Sequence, residues 1–460
     1  MARQPTTRLQ VSGYRFLVRR MEHALLRGDM RMLHDPMRTQ SLSLIAGCVL
    51  AIVVVAGCAI LAFLRPNAGW GDAVIVMSRD SGALYVRVDD TLHPVLNLAS
   101  ARLATGSAAR PQVVSPADID KAKRGPLLGI PGAPAVIAKP LSGDETAWTV
   151  CDATTTTVIA GRIDDFDERD NQPNVLVTPR SEGAATTYLL YDGWRAQVDL
   201  RNPGVVWALR LDGIEPRPVS RALLDAIPEA PPIAPPRIPG AGQPGAVAGI
   251  RVGAVVQVTR VDADDYFVVL TDGVARIGEV AANLIRSVDS QGSREIASVS
   301  PDAISDVPVA DFLPSSTFPG RAGTTSGAGA DGVLCAQWRP ERSKTTLWLG
   351  DSLPAHSSPI DLAQADGDGP AVDSVAVPSG RSAYVRAAAL TGGRDDAGPL
   401  YLVTDGGVLF GLHDADTAKI VGVQGDPVRA PWPVLTWLPR GPELSRESAL
   451  VARDSVTLPP

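Results

Sequence analysis

No Gly-Lys pair occurs anywhere in the 460 residues. The G-x-x-x-x-G-K-[ST] loop, whose backbone amides and lysine cradle phosphates, is therefore missing. Lysine itself is scarce, at Lys121, Lys123, Lys139, Lys344 and Lys419, while Arg, Ala, Gly and Val abound, as a GC-rich genome would give. Histidine is sparse too: His23, His34, His93, His356 and His413 are dispersed and show no zinc-ligand spacing. Dense positive charge occurs only in the first forty residues, which argues against nucleic-acid binding.

What is present is apolar. Hydrophobic residues make up 45% and charged residues 20%, enough to bury a sizeable core in several units. The net charge of −7 is unevenly spread, because residues 1–40 hold eight Arg against Glu22, Asp29 and Asp35, a balance of +5 that leaves −12 elsewhere. A basic tail and an acidic body point to two compartments.

Residues 41–64, SLSLIAGCVLAIVVVAGCAILAFL, are 24 positions without a charge, bounded by Arg38 and Arg65. That exceeds the ~20 residues a helix needs to cross a bilayer core. Eight Arg precede it, so the N-terminus is expected in the cytoplasm and the bulk of the chain beyond the plasma membrane. The run is too long and too far from the start for a cleaved signal peptide. IAGC (45–48) and VAGC (55–58) have the letters of lipoprotein processing boxes, yet the apolar run continues past both cysteines, as in a spanning helix.

Before the membrane, Ser12 is expected to cap a helix on which Tyr14, Leu17, Val18, Met21 and Leu25 recur at helical spacing. Arg15, Arg19, Arg20, Arg27 and Arg31 lie mostly off that stripe, with Arg38 nearer the membrane. Such a helix can dock its apolar stripe on a partner or lie on anionic lipid; as a third reading it is only a topology signal.

The segment QVSGYRFLVRRMEHALLRGDMRMLHDPMRTQ (10–40), running into the apolar stretch and LRP (64–66), resembles the N-terminal signature of the EccB family of type VII (ESX) secretion systems. RGPLLGIPGAP (124–134) and LPRGPELS (438–445) extend the resemblance over the whole chain. It implies a membrane core complex with EccC, EccD and EccE components that exports small helical substrates.

Four later segments share an aromatic start, a strand, an acidic or Asp-Gly turn and a second strand: 85–103, 188–200, 267–285 and 401–414. Tyr85 aligns with Phe267, Asp90 with Asp272 and Leu92 with Val274, and each segment reads as a hairpin plus a short helix. One such unit cannot bury its own apolar face. WTVCDATTTTVIAG (148–161) and VLCAQWRPERSKTTLWLG (333–350) share a cysteine, a Thr pair and an apolar run, and read as two halves of a common core. The expected fold is therefore α+β and β-rich. An amphipathic helix and one transmembrane helix precede an elongated exported domain of four small repeats around a central β core with approximate two-fold symmetry.

The expected divisions are a tail (1–40), the span (41–64), a first repeat (65–120), a first core half (121–180), a second repeat (181–227), a linker (228–247), a third repeat (248–300), a second core half (301–390) and a fourth repeat with the C-terminal tail (391–460). The linker contains PEAPPIAPPRIPGAGQP (228–244), seven prolines in seventeen residues, for which unpaired polyproline geometry is expected. GRAGTTSGAGADG (320–332) reads as a second loose stretch.

Cys48 and Cys58 fall in the membrane segment, as small apolar residues. Cys151 and Cys335 fall at matching positions of the core halves and on the oxidising side, so a disulfide between them is expected.

No catalytic residue, cofactor or metal ligand set is expected. GDSL (350–353) has the letters of a hydrolase motif, but the histidines after Ser352, His356 and His413, lack the Asp-x-x-His context. The carboxylates of GRIDDFDERD (161–170) lack the spacing of a calcium loop. The functional expectation is a structural, self-associating assembly component of the membrane complex. A rival is a peptidoglycan-binding module, since repeated β units on a stalk suit multivalent attachment. A third reading is an ATPase, a description the family sometimes carries, which no nucleotide-binding motif here supports.

Overall fold

Thr7 donates its backbone N–H to Gln10 Oε1 at 3.1 Å, and the first helix starts at that turn. In this computed structural model, α1 (Arg8–Arg27) ends at Gly28, whose φ of 68° only glycine adopts without strain and whose N–H bonds the Ala24 carbonyl. The helix thus begins one turn before Ser12, the expected cap, because the polar pair Thr7 and Gln10 meets the first free amides. The structure describes residues 7–28, 36–64, 71–163, 172–180, 186–259, 264–290, 292, 295–310, 317–329, 332–342, 345–355, 357–391 and 397–454. These belong to two units, 1–71 and 72–460.

The second helix, α2 (Pro36–Leu64), starts at a proline, whose missing N–H costs nothing in a first turn. Its 29 residues rise roughly 44 Å, more than the ~30 Å hydrocarbon core of a bilayer. Ser41–Ile60 is long and apolar enough to span, and none of it is buried within the protein.

The unit 72–460 is mixed α+β and rich in strands. It opens with the antiparallel β1 (Ile75–Ser78), β2 (Leu84–Val88) and β3 (Thr91–Val95), then α3 (Leu98–Thr105), β4 (Gln112–Val114), α4 (Pro116–Asp120) and β5 (Leu127–Leu128). After β6 (Lys139–Pro140) come the hairpin β7 (Trp148–Asp152) and β8 (Thr156–Ala160). A second sheet follows from β9 (Asn174–Pro179), β10 (Thr187–Tyr191), β11 (Trp194–Val198), α5 (Pro203–Leu209), β12 (Arg217–Val219), α6 (Arg221–Asp225) and β13 (Glu229–Ile233). A third comprises β14 (Val255–Thr259), β15 (Asp264–Val269), β16 (Val274–Ile277), α7 (Glu279–Val288) and β17 (Ala297–Ser298), ahead of α8 (Asp302–Ser305).

The chain then returns. β18 (Thr325–Ser326) joins β9, while β19 (Val333–Trp338), β20 (Thr346–Gly350), β21 (Ile360–Asp361) and β22 (Ser374–Ala376) complete a sheet of order β20-β19-β7-β8-β22-β21. The last sheet holds β23 (Arg381–Ala388), β24 (Leu400–Val403), β25 (Leu409–Leu412) and β26 (Val428–Pro431), with α9 (Ala415–Val421), α10 (Trp432–Leu435) and α11 (Arg446–Ala449). Finally β27 (Ala452–Arg453) pairs with β5, tying the C-terminal end to the first sheet.

Each of the four similar segments forms a hairpin followed by a helix: β2-β3-α3, β10-β11-α5, β15-β16-α7 and β24-β25-α9. The helices meet in pairs, α3 against α9 and α5 against α7. One pair is held by Arg102 Nη1 donating to the Val421 carbonyl at 2.6 Å. The sheet β20-β19-β7-β8-β22-β21 lies between core clusters, with Trp148, Val150, Leu334, Ala336 and Trp338 packed with α6 and α10 residues such as Leu223 and Val434. Cys151, Ile159, Cys335 and Trp348 belong to a second cluster.

One sequence expectation needs correcting. The proline-rich segment is not unpaired, because Glu229–Ile233 forms β13, a parallel neighbour of β11 with Ala230 and Ile233 buried. β13 ends its sheet, and an edge strand tolerates proline where the interior would lose ladder bonds. Likewise Thr325 and Ser326, within the second loose stretch, pair with Asn174 and Val175 of β9.

Candidate functional site

Among the described residues of its unit, none covers the apolar stripe of α1. Tyr14, Leu17, Val18, Met21 and Leu25 are all exposed, Leu25 to 84%, and Leu9, Phe16 and Leu26 join them. Phe16 and Leu26 widen the stripe beyond the five residues the spacing singled out. Arg15, Arg19 and Arg20 are exposed on the same helix. Arg27 closes α1 and Arg38 lies in the first turns of α2, with side chains outside the described set, and Arg31 lies outside the described residues. Apolar surface of this extent therefore stands exposed beside the cations of Arg15, Arg19 and Arg20.

The second candidate region is the middle of the β20-β19-β7-β8-β22-β21 sheet. Cys335 stands opposite Cys151 in the antiparallel register of β19 and β7, and the two form a disulfide with Cα atoms 4.1 Å apart across a sequence separation of 184. Trp338 stands opposite Trp148 in the same ladder. Cys48 and Cys58 are free thiols on α2.

Beside the disulfide, Asp152 is fully buried and accepts hydrogen bonds from Ser220 N at 2.7 Å and from the Arg180 guanidinium. Burial pushes its pKa up, against the pull of Arg180, the Ser220 N–H and Arg217. Arg217 Nη2 donates to the Gly332 carbonyl at 2.6 Å, so the cluster joins β7, β9, α6 and the entry to β19. Asp373 plays a comparable part for β8. Its carboxylate accepts from Thr156 N and Gly367 N, both at 2.7 Å, and from Asp366 N at 3.0 Å. Sequence reasoning passed over both carboxylates. Asp152 did leave a signal, an acid at the end of the otherwise uncharged strand WTVCD.

Along β20, at the end of the sheet, a cavity of about 510 Å³ is lined by Leu347, Trp348 and Leu349. Gln172 Oε1, on its wall, accepts from Leu347 N at 3.0 Å.

Among the described residues, those weighed for chemistry are not brought together. Ser352 is exposed after β20, while His413 pairs with Glu443 at 3.4 Å beside the fourth hairpin. His356 and the carboxylates Asp164, Asp165, Asp167, Glu168 and Asp170 lie outside the described residues. His93 Nδ1 is 3.0 Å from the Pro126 carbonyl, in the first sheet. Among the described residues, no group of three or more His, Cys, Asp or Glu is placed to hold a metal ion.

Residues 3–458 match the family described as "Type VII secretion system ESX-1, transport TM domain B", EccB. The chain belongs to the EccB family. Among curated EccB proteins it is 38% identical over 480 residues to "ESX-3 secretion system ATPase EccB3" of Mycolicibacterium smegmatis, covering 99% of this chain and 92% of that one. It is 37% identical over 481 residues to "ESX-2 secretion system ATPase EccB2" of Mycobacterium tuberculosis, covering 98% and 96%. Its fold is similar to a chain in the structure of an intact ESX-5 inner membrane complex, with a TM-score of 0.70 at 32% identity, covering 100% of this chain and 97% of that one. The EccB3 dimer from the ESX-3 core complex gives 0.70 at 34% identity, covering 82% and 100%.

Proposed function

We propose that this EccB chain is a membrane anchor and scaffold of a type VII secretion complex, with residues 1–40 in the cytoplasm, α2 in the inner membrane and residues 72–460 on its outer side. The observation that carries this reading is the full-length likeness to a chain of the ESX-5 inner membrane complex, which includes α1 and α2 as well as the strand-rich unit. The exposed stripe of α1 suits docking on cytoplasmic components of the EccC, EccD or EccE type. The strand-rich unit suits self-association, as in the EccB3 dimer.

In the same reading, the unit 72–460 is built from four hairpin-plus-helix copies around the central sheet, with approximate two-fold symmetry. Support comes from the β7-β8 and β19-β20 hairpins meeting at Cys151 and Cys335, from the paired helices, and from β12 and β26, which each add in parallel to the strand before their hairpin.

Extraction of the tagged full chain in mild detergent, with co-purified proteins identified by mass spectrometry, tests the assignment. Recovery of the other membrane components is expected. A chain recovered alone, under conditions where those components copurify with one another, would overturn it.

A further inference from the structure

We propose that the outer edge of β20 is a strand-docking slot, which takes an extended, uncharged segment of small or β-branched residues from another protein as an added parallel strand. This rests on the two-fold reading given above and names a binding site within it.

Cys151 stands opposite Thr157, and Cys335 stands opposite Trp348, so Thr156 corresponds to Leu347 and Val158 to Leu349. The two halves treat the first of these positions alike. Thr156 N donates to Asp373 Oδ2 at 2.7 Å, and Leu347 N donates to Gln172 Oε1 at 3.0 Å.

Beyond that point they diverge. After Asp373 the chain runs on as β22, covers β8 in parallel with Val375 beside Val158, and only then reaches β23 at Arg381. After Gln172 comes Pro173, which has no N–H, and β9 begins at once with Asn174. Among the described residues nothing takes the place of β22, and β20 ends the sheet.

The consequence is a set of backbone groups without a ladder. N–H and C=O of one residue point to the same side of a strand and alternate along it. Since Leu347 N faces Gln172, the Leu347 carbonyl and both groups of Leu349 face outward too, and no described residue bonds them. They lie along the wall of the cavity of about 510 Å³. β20 reads TLWLG, so the strand itself carries no charge or proline to block pairing at this edge. Pairing of a foreign strand with such an edge is an established mode of peptide recognition.

The occupant's chemistry follows from the cavity and its counterpart. One acid, Asp192, and one base, Arg321, stand among its polar walls, so charge of either sign gains no net partner. At the corresponding place on β8 the protein itself uses Ser374, Val375 and Ala376, all buried.

The test uses the full chain in detergent and a fluorescein-labelled, uncharged peptide copying residues 374–378, SVAVP, read by anisotropy. Saturable binding is expected, weakened at least about tenfold, or 1.4 kcal/mol, by Thr324→Trp, which fills the slot from an exposed wall position. Leu349→Pro, which removes the outward amide, should do the same, as should proline in the peptide at the position of Val375. Thermal melts confirm that the variants fold, and Thr324→Trp carries the test if Leu349→Pro does not. Absence of saturable binding, or binding unchanged in folded Thr324→Trp, overturns the slot. So does a change of oligomer size in Thr324→Trp without peptide binding, which would assign the edge to a second copy. Co-purification of the secretion components is measured on the same wild-type sample. If it persists while the peptide fails to bind, the slot alone is lost, whereas loss of co-purification strikes the scaffold role.

Discussion

Cys151 and Cys335 face each other across one rung of the β7–β19 ladder, their Cα atoms 4.1 Å apart and both residues buried. A single covalent bond thus joins segments 184 residues apart at the middle of the central sheet. Closing so long a loop restrains the unfolded chain, by on the order of 5 kcal/mol in the chain-entropy account. Cys151→Ser should therefore lower stability by about 2–5 kcal/mol and leave Cys335 reactive to thiol reagents once the chain is unfolded. Thermal melts with and without reductant check this: reductant should lower the wild-type midpoint toward that of the variant. A wild-type protein purified without reductant that yields four reactive thiols on denaturation would rule the bond out.

Gly193 gives a sharper local test. The β10–β11 turn has Asp192 at φ 46° and Gly193 at φ 77°, the pair of left-handed residues that a two-residue type I′ hairpin requires. A Cβ on Gly193 would also sit well inside contact distance of the Thr345 carbonyl oxygen, just ahead of β20. Gly106, the C-cap of α3, has a similar φ of 66° but open space around its missing Cβ. Gly106→Ala should therefore cost only the left-handed penalty of about 1–2 kcal/mol. Gly193→Ala adds displacement of backbone and should cost clearly more. Equal losses by urea denaturation would show that the turn yields where the structure packs it tightly.

What was legible in the sequence was what neighbouring residues decide. The uncharged run 41–64, the Asp-Gly turns and the cysteines in apolar strands are signals carried within a few positions, and the disulfide and the spanning helix follow from them. The proline-rich segment misled because proline reports on its own dihedral and amide, whereas β13 forms because Ala230 and Ile233 reach a buried face beside β11. Asp373 holding Thr156 N spans 217 residues, and Asp152 holding Ser220 N spans 68. No local pattern encodes such pairings. α1 starts one turn before Ser12 because Thr7 and Gln10, spaced as a capping box, satisfy its first amides.

Glu145 supplies the pH test. It accepts from Arg381 Nη2 at 2.7 Å and from Ser142 N and Oγ at 2.9 and 2.7 Å. Arg381 first, then Ser142, hold its pKa down from 4.5 to about 2. A carboxyl whose folded pKa is depressed stabilises the fold above its unfolded pKa, and that contribution fades as pH falls from about 4.5 toward 2. The group is nearly half exposed, so solvent screening keeps the effect small. Glu145→Gln should lower stability near neutral pH, and its deficit against wild type should shrink through that acid window. A deficit that stays constant from pH 6 to pH 2.5 would trace the loss to packing instead of charge.

The stripe on α1 leads to the last prediction. Leu17 and Met21 lie one helical turn apart, 60% and 69% exposed, on a helix whose other large apolar residues are exposed too. If the stripe docks on a cytoplasmic component, Leu17→Ser with Met21→Ser removes apolar contact at its centre while leaving Arg15, Arg19 and Arg20 in place. At ~25 cal/mol per Å² of apolar surface, losing two such side chains from an interface costs roughly 3 kcal/mol, over a hundredfold in affinity. The double variant should still fractionate with the membrane, since α2 is untouched, but should lose its partners on co-purification in mild detergent. Reversal of Arg15, Arg19 and Arg20 to Glu separates the alternatives. A lipid-bound helix would respond strongly to that charge reversal and to salt, whereas a docked helix responds mainly to the apolar pair. Intact complexes from the Leu17 and Met21 double variant would show that the stripe faces lipid or serves only to orient the chain in the membrane.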